Sequence, residues 1–190
     1  MSWNSNAMND WSTATLNTYL NGDYYNGLDA TSKSMIVNTK YYLGGNNSLA
    51  NGSEIYYSWE RGTTVYNGRS ISWLGKIALM YPSDYSYTYA LGVDNTCYTE
   101  GNNCSTNQGG KPTNGWVYNT NSNSTQWLLS PISDFSNRVF TLSVRGFTGS
   151  SGNGGVAYSI GVRPTLYLSS NVRIISGTGK SDDPYQLSID

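Results

Sequence analysis

From Tyr85 to Gln126 the chain runs for about 40 residues almost without an aliphatic side chain, in a mixture of Asn, Ser, Thr, Tyr and Gly. Loops of that length in a compact domain are functional or disordered, and the buried interior has to come from the segments on either side. Cys97 and Cys104 lie inside it, and Trp116, Tyr118 and Trp127 punctuate its second half, so an ordered, pinned loop region is expected at about 85–126. The whole chain of 190 residues reads as a single domain.

Before that region the spacing is helical. Asp10 or Ser12 can cap a short helix in which Leu16, Tyr19 and Leu20 share a face, with Asn21-Gly22 as its stop. A second helix, capped by Asp29 or Thr31, buries Met35, Ile36 and Val37, with Gly44-Gly45 beyond its end. The pattern then changes to period two. Ile77–Tyr81 reads as a strand entering a turn at Pro82-Ser83-Asp84. Phe140, Leu142 and Val144, and then Val156, Tyr158, Ile160 and Val162, alternate with polar residues as half-buried antiparallel strands do. Leu166–Leu168 and Val172–Ile174 add short strands, and a polar turn at 177–183 precedes Tyr185 and Leu187.

The polar surface is of an unusual kind. Only 12% of residues are charged, against 22 Asn, 27 Ser and 21 Gly, so solubility rests on amides and hydroxyls. The net charge is -1 and the eleven Lys and Arg are scattered singly, which argues against a nucleic-acid partner. No apolar run approaches the roughly 20 residues of a membrane span, and Met1–Asp10 does not read as a signal peptide. The two cysteines are either a local disulfide or two free thiols; a bridge would stabilise by roughly 2–3 kcal/mol and place the protein in an oxidising, extracellular or cell-surface compartment.

Seventeen tyrosines and six tryptophans stand beside a complete absence of histidine. The usual general base and metal ligand is therefore missing, whereas rigid amphipathic contact area is plentiful. Binding is expected rather than catalysis, with no metal and no cofactor. The candidate ligand-binding residues are Tyr85, Tyr87 and Tyr89, which share a side if that stretch is extended, together with Trp116 and Tyr118. Trp127, next to Leu128-Leu129, reads as core, as do Tyr19 and Tyr158.

Glu60-Arg61 stands out because glutamate occurs only at 54, 60 and 100; if buried, these charges need partners, in an ion pair or backbone clamp or else a ligand contact. Arg163 would satisfy loop carbonyls. A glycosidase pair would have to be drawn from Asp84 with Asp94 or Glu100. Asp182-Asp183 reads as a hairpin turn more simply than as a calcium site. Acceptor patterns for N-glycosylation at Asn46, Asn51, Asn103 and Asn123 arise readily in so Asn- and Ser-rich a chain.

Certain blocks resemble known proteins. Trp73 to Tyr85 (Trp-Leu-Gly-Lys-Ile-Ala-Leu-Met-Tyr-Pro-Ser-Asp-Tyr), Trp127 to Pro131, Gly161-Val162-Arg163-Pro164 and the opening block Leu16 to Tyr25 are similar to C-terminal ectodomains of prepilin-like bacterial surface proteins with a C-type lectin-like fold. The Gly-Val-Arg-Pro block also resembles the closing strand of formylglycine-generating enzymes and of retroelement-diversified variable proteins. The resemblance implies an α+β fold, with two short N-terminal helices, a twisted antiparallel sheet and long irregular loops. It implies a recognition module for a protein or carbohydrate ligand, displayed at a cell surface or pilus, or else a structural subunit of such a filament. The sugar-reading Glu-Pro-Asn, Gln-Pro-Asp and Trp-Asn-Asp motifs of calcium-dependent lectins are absent, so calcium-independent binding is expected. The reactive cysteines of the formylglycine-generating enzymes stand closer together than Cys97 and Cys104, and that activity is not expected.

Overall fold

The computed structural model describes residues 1–47, 53–89, 125–142, 148–150, 155–180 and 182–190. The first segment opens with a 3-10 turn at Trp11–Thr13, whose entry is capped by the Asp10 carboxylate accepting from the Ser12 N–H. Helix α1 follows at Thr15–Tyr19 and runs on as a π-helical turn, Leu20–Tyr24. The expected stop at Asn21-Gly22 is therefore overridden, and the reason is tertiary. Asn21 Oδ1 accepts from the backbone N–H groups of Lys76 (3.3 Å) and Ile77 (3.0 Å), while its Nδ2 donates to the Ile77 carbonyl at 2.8 Å. One amide side chain thus does what a neighbouring strand would do, and the helix widens by a residue to hold it there.

Helix α2, Ala30–Met35, is capped by Asp29 as expected, through its carboxylate and the Ser32 N–H. The chain then forms β1, Thr39–Tyr42; helix α3, Ser53–Glu60; β2, Ser72–Gly75; β3, Ile77–Leu79; and helix α4, Pro82–Tyr89. Beyond lie β4, Gln126–Pro131; β5, Val139–Leu142; β6, Thr148–Ser150; a 3-10 turn at Gly155–Ala157; β7, Pro164–Leu166; β8, Val172–Ser176; and β9, Gln186–Ile189. The fold is mixed α+β, and its described strands form four small antiparallel sheets: β1-β2, β3-β7, β4-β5-β6 and β8-β9.

Packing is organised by β4, buried on both faces. Trp127 and Leu129 point into a cluster with Trp3, Trp11, Leu16, Leu20, Tyr41, Ile77, Leu79, Tyr81, Val139 and Val156. Leu128 points the other way, into a second cluster with Tyr56, Met80, Tyr85, Ile132, Phe140 and Leu142. Trp127 is thus core, as its sequence context indicated. The N-terminal segment closes over this strand, with Trp3 Nε1 donating to the Leu128 carbonyl and Trp127 Nε1 to the Met1 carbonyl.

Several expectations are corrected. Tyr19 is 37% exposed and Tyr158 is 59% exposed, so neither is core. Tyr19 lies off the stripe of Leu16, Asn17 and Leu20, and Tyr158 follows the 3-10 turn that resets the alternation begun at Val156. Among the described residues, 156–162 pair through single bridges, Ser159 with Ser2 and Gly161 with Gln126, rather than as a strand. The Pro82-Ser83-Asp84 turn is the first turn of α4, since Pro presets a φ suited to either structure and fits the first helical position. The hairpin turn before Tyr185 is as expected, with Asp183 O accepting from the N–H groups of Thr178 and Gly179, and with Gly177 (φ +87°) and Gly179 (φ +77°) in the left-handed region.

Replacing Asn21 by Leu keeps the side-chain size but strips the partners from two backbone donors and one acceptor beside β3. Urea denaturation is expected to show a loss of roughly 2–3 kcal/mol; an unchanged midpoint would mean that water replaces the amide without cost.

Candidate functional site

The extended tyrosine ladder does not exist as such, because Tyr85, Tyr87 and Tyr89 belong to a helix. Residues two apart on a helix face nearly opposite ways. Tyr85 is fully buried in the second cluster, Tyr87 is 47% exposed, and Tyr89 ends the helix. Trp116, Tyr118, Cys97, Cys104, Asp94, Glu100 and Val144 lie outside the described residues.

What the fold does bring together centres on Glu60 and Arg61, at the junction of α3 and α4. Along α3 the buried residues are Ser53, Tyr56 and Glu60, at helical spacing, so the last residue of the inward stripe is an acid. Glu60 is 1% exposed. Its Oε1 accepts from the Ser83 N–H at 2.8 Å and its Oε2 accepts from the Ser83 hydroxyl at 2.5 Å. Ser83 is the second residue of α4, so Glu60 satisfies one of the free amide donors at that helix start. Asp84, the third residue, reaches back to the N–H of Tyr81 at 3.1 Å, as the third residue does in a capping box. The cap of α4 is therefore shared between its own Asp84 and an acid from α3.

Burial pushes the Glu60 carboxyl up to about 8, against the Ser83 hydrogen bonds and the Arg61 charge that favour ionisation and with the Asp84 charge that opposes it. The Arg61 contact, 3.5 Å from Nη1 to Oε2, is the weakest of these influences, and Glu60 is mostly protonated at neutral pH. Asp84 keeps contact with solvent. Desolvation of the inward part of its carboxyl raises its pKa, against the Tyr81 N–H and the Arg61 charge.

Around this acid pair stands an aromatic enclosure. Tyr81 is buried, and its hydroxyl accepts from the Tyr42 N–H at 2.8 Å and donates to the Tyr42 carbonyl at 3.0 Å, pinning the end of β1 to the start of α4. Arg61 lies with its guanidinium carbon 3.4 Å from the centre of the Tyr57 ring, 5.5 Å from that of Tyr42 and 5.9 Å from that of Tyr81. Lys40 Nζ lies 5.0 Å from the same Tyr42 ring. Tyr57 and Tyr167 are 45% and 47% exposed. The hydroxyl of Tyr167 is raised by desolvation and then by the charges of Asp84, Glu60 and Tyr57, with Arg61 opposing, which puts it in the same electrostatic neighbourhood. Gly44 completes the base: its N–H donates to the Glu60 carbonyl at 3.0 Å, and a Cβ there would meet the carbonyl oxygens of Trp59 at 2.3 Å and Glu60 at 2.9 Å.

Glu60-Arg61 was thus legible as an ion pair and clamp, while Lys40, Tyr42, Tyr57, Tyr81 and Tyr167 were not. Arg163 is partly buried, with its pKa lowered by desolvation and the Tyr85 side chain opposing. Among the described residues no group of three or more Cys, Asp or Glu could hold a metal ion, and no helix is long and apolar enough to cross a membrane. Compared with known protein families, curated proteins and solved structures, the chain matches none.

The raised Glu60 pKa has a definite sign for stability. The folded state keeps a proton that the unfolded chain releases near 4.5, so stability is fullest below that value and is lost as pH rises through about 8. Asp84 is raised in the same direction, by desolvation. Denaturant melts between pH 5 and 9 are expected to show a fall of several kcal/mol, flattened in Glu60→Gln. An unflattened slope in that variant would remove Glu60 as the cause.

Proposed function

We propose that the chain is a non-enzymatic, calcium-independent recognition domain of C-type lectin-like fold, a single domain over 1–190 that acts outside the cell or at its surface and binds a protein or carbohydrate ligand. The observation that carries this reading is the Arg61 guanidinium 3.4 Å from the centre of the exposed Tyr57 ring, with 32% of its side chain exposed, beside the partly buried ring of Tyr42. Rigid aromatic rings around a fork of donors provide contact area at low entropic cost and hydrogen-bonding specificity together. The acids beneath are engaged in capping a helix, and Glu60 is sealed from solvent with both oxygens occupied, which supports binding over acid-base chemistry.

A second reading, a structural subunit of a pilus or surface filament, draws on another feature. The β8-β9 hairpin exposes Ile174 (59%), Ile175 (65%) and Tyr185 (53%), apolar area that a neighbouring copy could cover. Sedimentation over a wide concentration range separates the two readings, since a chain that stays monomeric does not assemble through that hairpin.

A glycan and protein array probed with the wild-type chain is expected to return ligands that survive a calcium chelator and weaken roughly tenfold or more with Tyr57→Ala. Affinity that ignores Tyr57→Ala but falls with Trp116→Ala or Tyr118→Ala would move the site to the long central region, and a chain that binds nothing would overturn the recognition reading.

A further inference from the structure

Two cations at the α3–β1 surface lack a surface counter-charge in contact, and that points to a ligand class. Two cations share one ring: Lys40 Nζ at 5.0 Å and the Arg61 guanidinium at 5.5 Å from the centre of Tyr42. Among the described residues Lys40 has no ion pair, and Arg61 has only Glu60 within ion-pair distance. That partner does little to neutralise it, because both Glu60 oxygens are held by Ser83, and burial keeps the carboxyl largely protonated at neutral pH. Besides the exposed Glu54 in the first turn of α3, which forms no ion pair among the described residues, the remaining acid of the cluster is Asp84. Its Oδ2 is turned to the Tyr81 N–H, and it lies outside ion-pair distance of both cations. Two solvent-facing cations therefore stand with no surface carboxylate in ion-pair contact among the described residues.

Geometry adds to charge. A guanidinium stacked on a ring face keeps its in-plane N–H groups for other partners, and among the described residues Arg61 donates no hydrogen bond. Five donors in a fixed fork, held flat by Tyr57, match the two oxygens of a carboxylate. The neighbouring surface is aromatic with polar tips: Tyr57 and Tyr167 are each nearly half exposed, and Tyr167 is fixed by its ring contact with buried Tyr41 at 5.7 Å. Such rings offer a flat apolar face to a pyranose ring and a hydroxyl to its oxygens, features that an acidic peptide would leave unused.

We propose, building on the recognition reading above, that this surface binds acidic saccharides, with Arg61 and Lys40 holding the carboxylate of a hexuronic acid and the exposed faces of Tyr57 and Tyr167 carrying the sugar ring. Arg61 supplies the bidentate contact. Lys40 supplies charge without a fixed geometry.

The test is calorimetric titration of the full chain with trigalacturonate, its methyl ester, the neutral trisaccharide maltotriose and a triglutamate peptide. Trigalacturonate is expected to bind, with the ester and maltotriose weaker by roughly tenfold or more. Arg61→Gln should reduce trigalacturonate binding by a similar factor, Arg61→Lys should restore part of it, and Lys40→Gln should cost a few-fold, with raised salt weakening the wild type. Equal binding of acid and ester, equal binding of triglutamate, or no binding of trigalacturonate at millimolar concentration would each overturn the proposal. The acid-ester comparison uses the native chain, so the test stands even if an Arg61 variant unfolds. An array ligand whose affinity falls with Tyr57→Ala but not with Arg61→Gln would overturn the carboxylate while leaving the recognition reading intact.

Discussion

The hydrogen bonds from Ser83 to the buried Glu60 carboxyl tie helix α3 to the start of helix α4. Helix α4 is eight residues long and begins with two buried residues, Pro82 and Ser83, where water cannot satisfy its first amides. Glu60 reaches across from the end of α3 to serve one of them, so neither helix can be placed without the other. The same junction sets the end of β1, because Tyr81, the residue that caps α4, spends its hydroxyl on both backbone groups of Tyr42. Leaving Glu60 ionised there would be costly, and its raised pKa is the form in which that cost is held.

The elements that could be read from sequence are those whose decisive interaction is local. Asp10 and Asp29 cap the helical turns directly after them, with contacts spanning two or three residues. Trp127 stands among aliphatic neighbours, and the turn at 177–183 carries its own glycines. The misread elements depend on distant partners. Tyr85, Tyr87 and Tyr89 alternate with Ser86 and Thr88 as a strand would, and the helix start at Pro82–Asp84 draws half of its cap from Glu60, more than twenty positions away. Asn21-Gly22 would end a helix were the amide of Asn21 not already bound to β3. Helix α3 was hidden because its inward stripe, Ser53, Tyr56 and Glu60, contains two polar residues where a hydrophobic pattern is sought.

The candidate site follows the same division. Glu60-Arg61 could be singled out because acids are so scarce that a Glu-Arg pair is conspicuous, whereas the aromatic members come from β1, α3, the residue before α4 and the segment after β7, and nothing in their spacing links them. The tyrosine excess, which suggests one binding surface, is partitioned by packing. Tyr41, Tyr56, Tyr81 and Tyr85 are interior, while Tyr57, Tyr87, Tyr158, Tyr167 and Tyr185 remain exposed.

In most proteins a surface arginine loses much of its field to water and nearby carboxylates. Here the ring faces of Tyr57, Tyr42 and Tyr81 replace part of that water with weakly negative π surface, attracting the cation without neutralising it. The nearest acid is buried and mostly protonated, and its oxygens already belong to a helix cap. Structural capping and charge exposure are therefore one arrangement: the burial that lets Glu60 seat α4 is also what keeps it from quenching Arg61. A chain with few charges can present a cationic contact point by withholding the counter-charge rather than by clustering lysines.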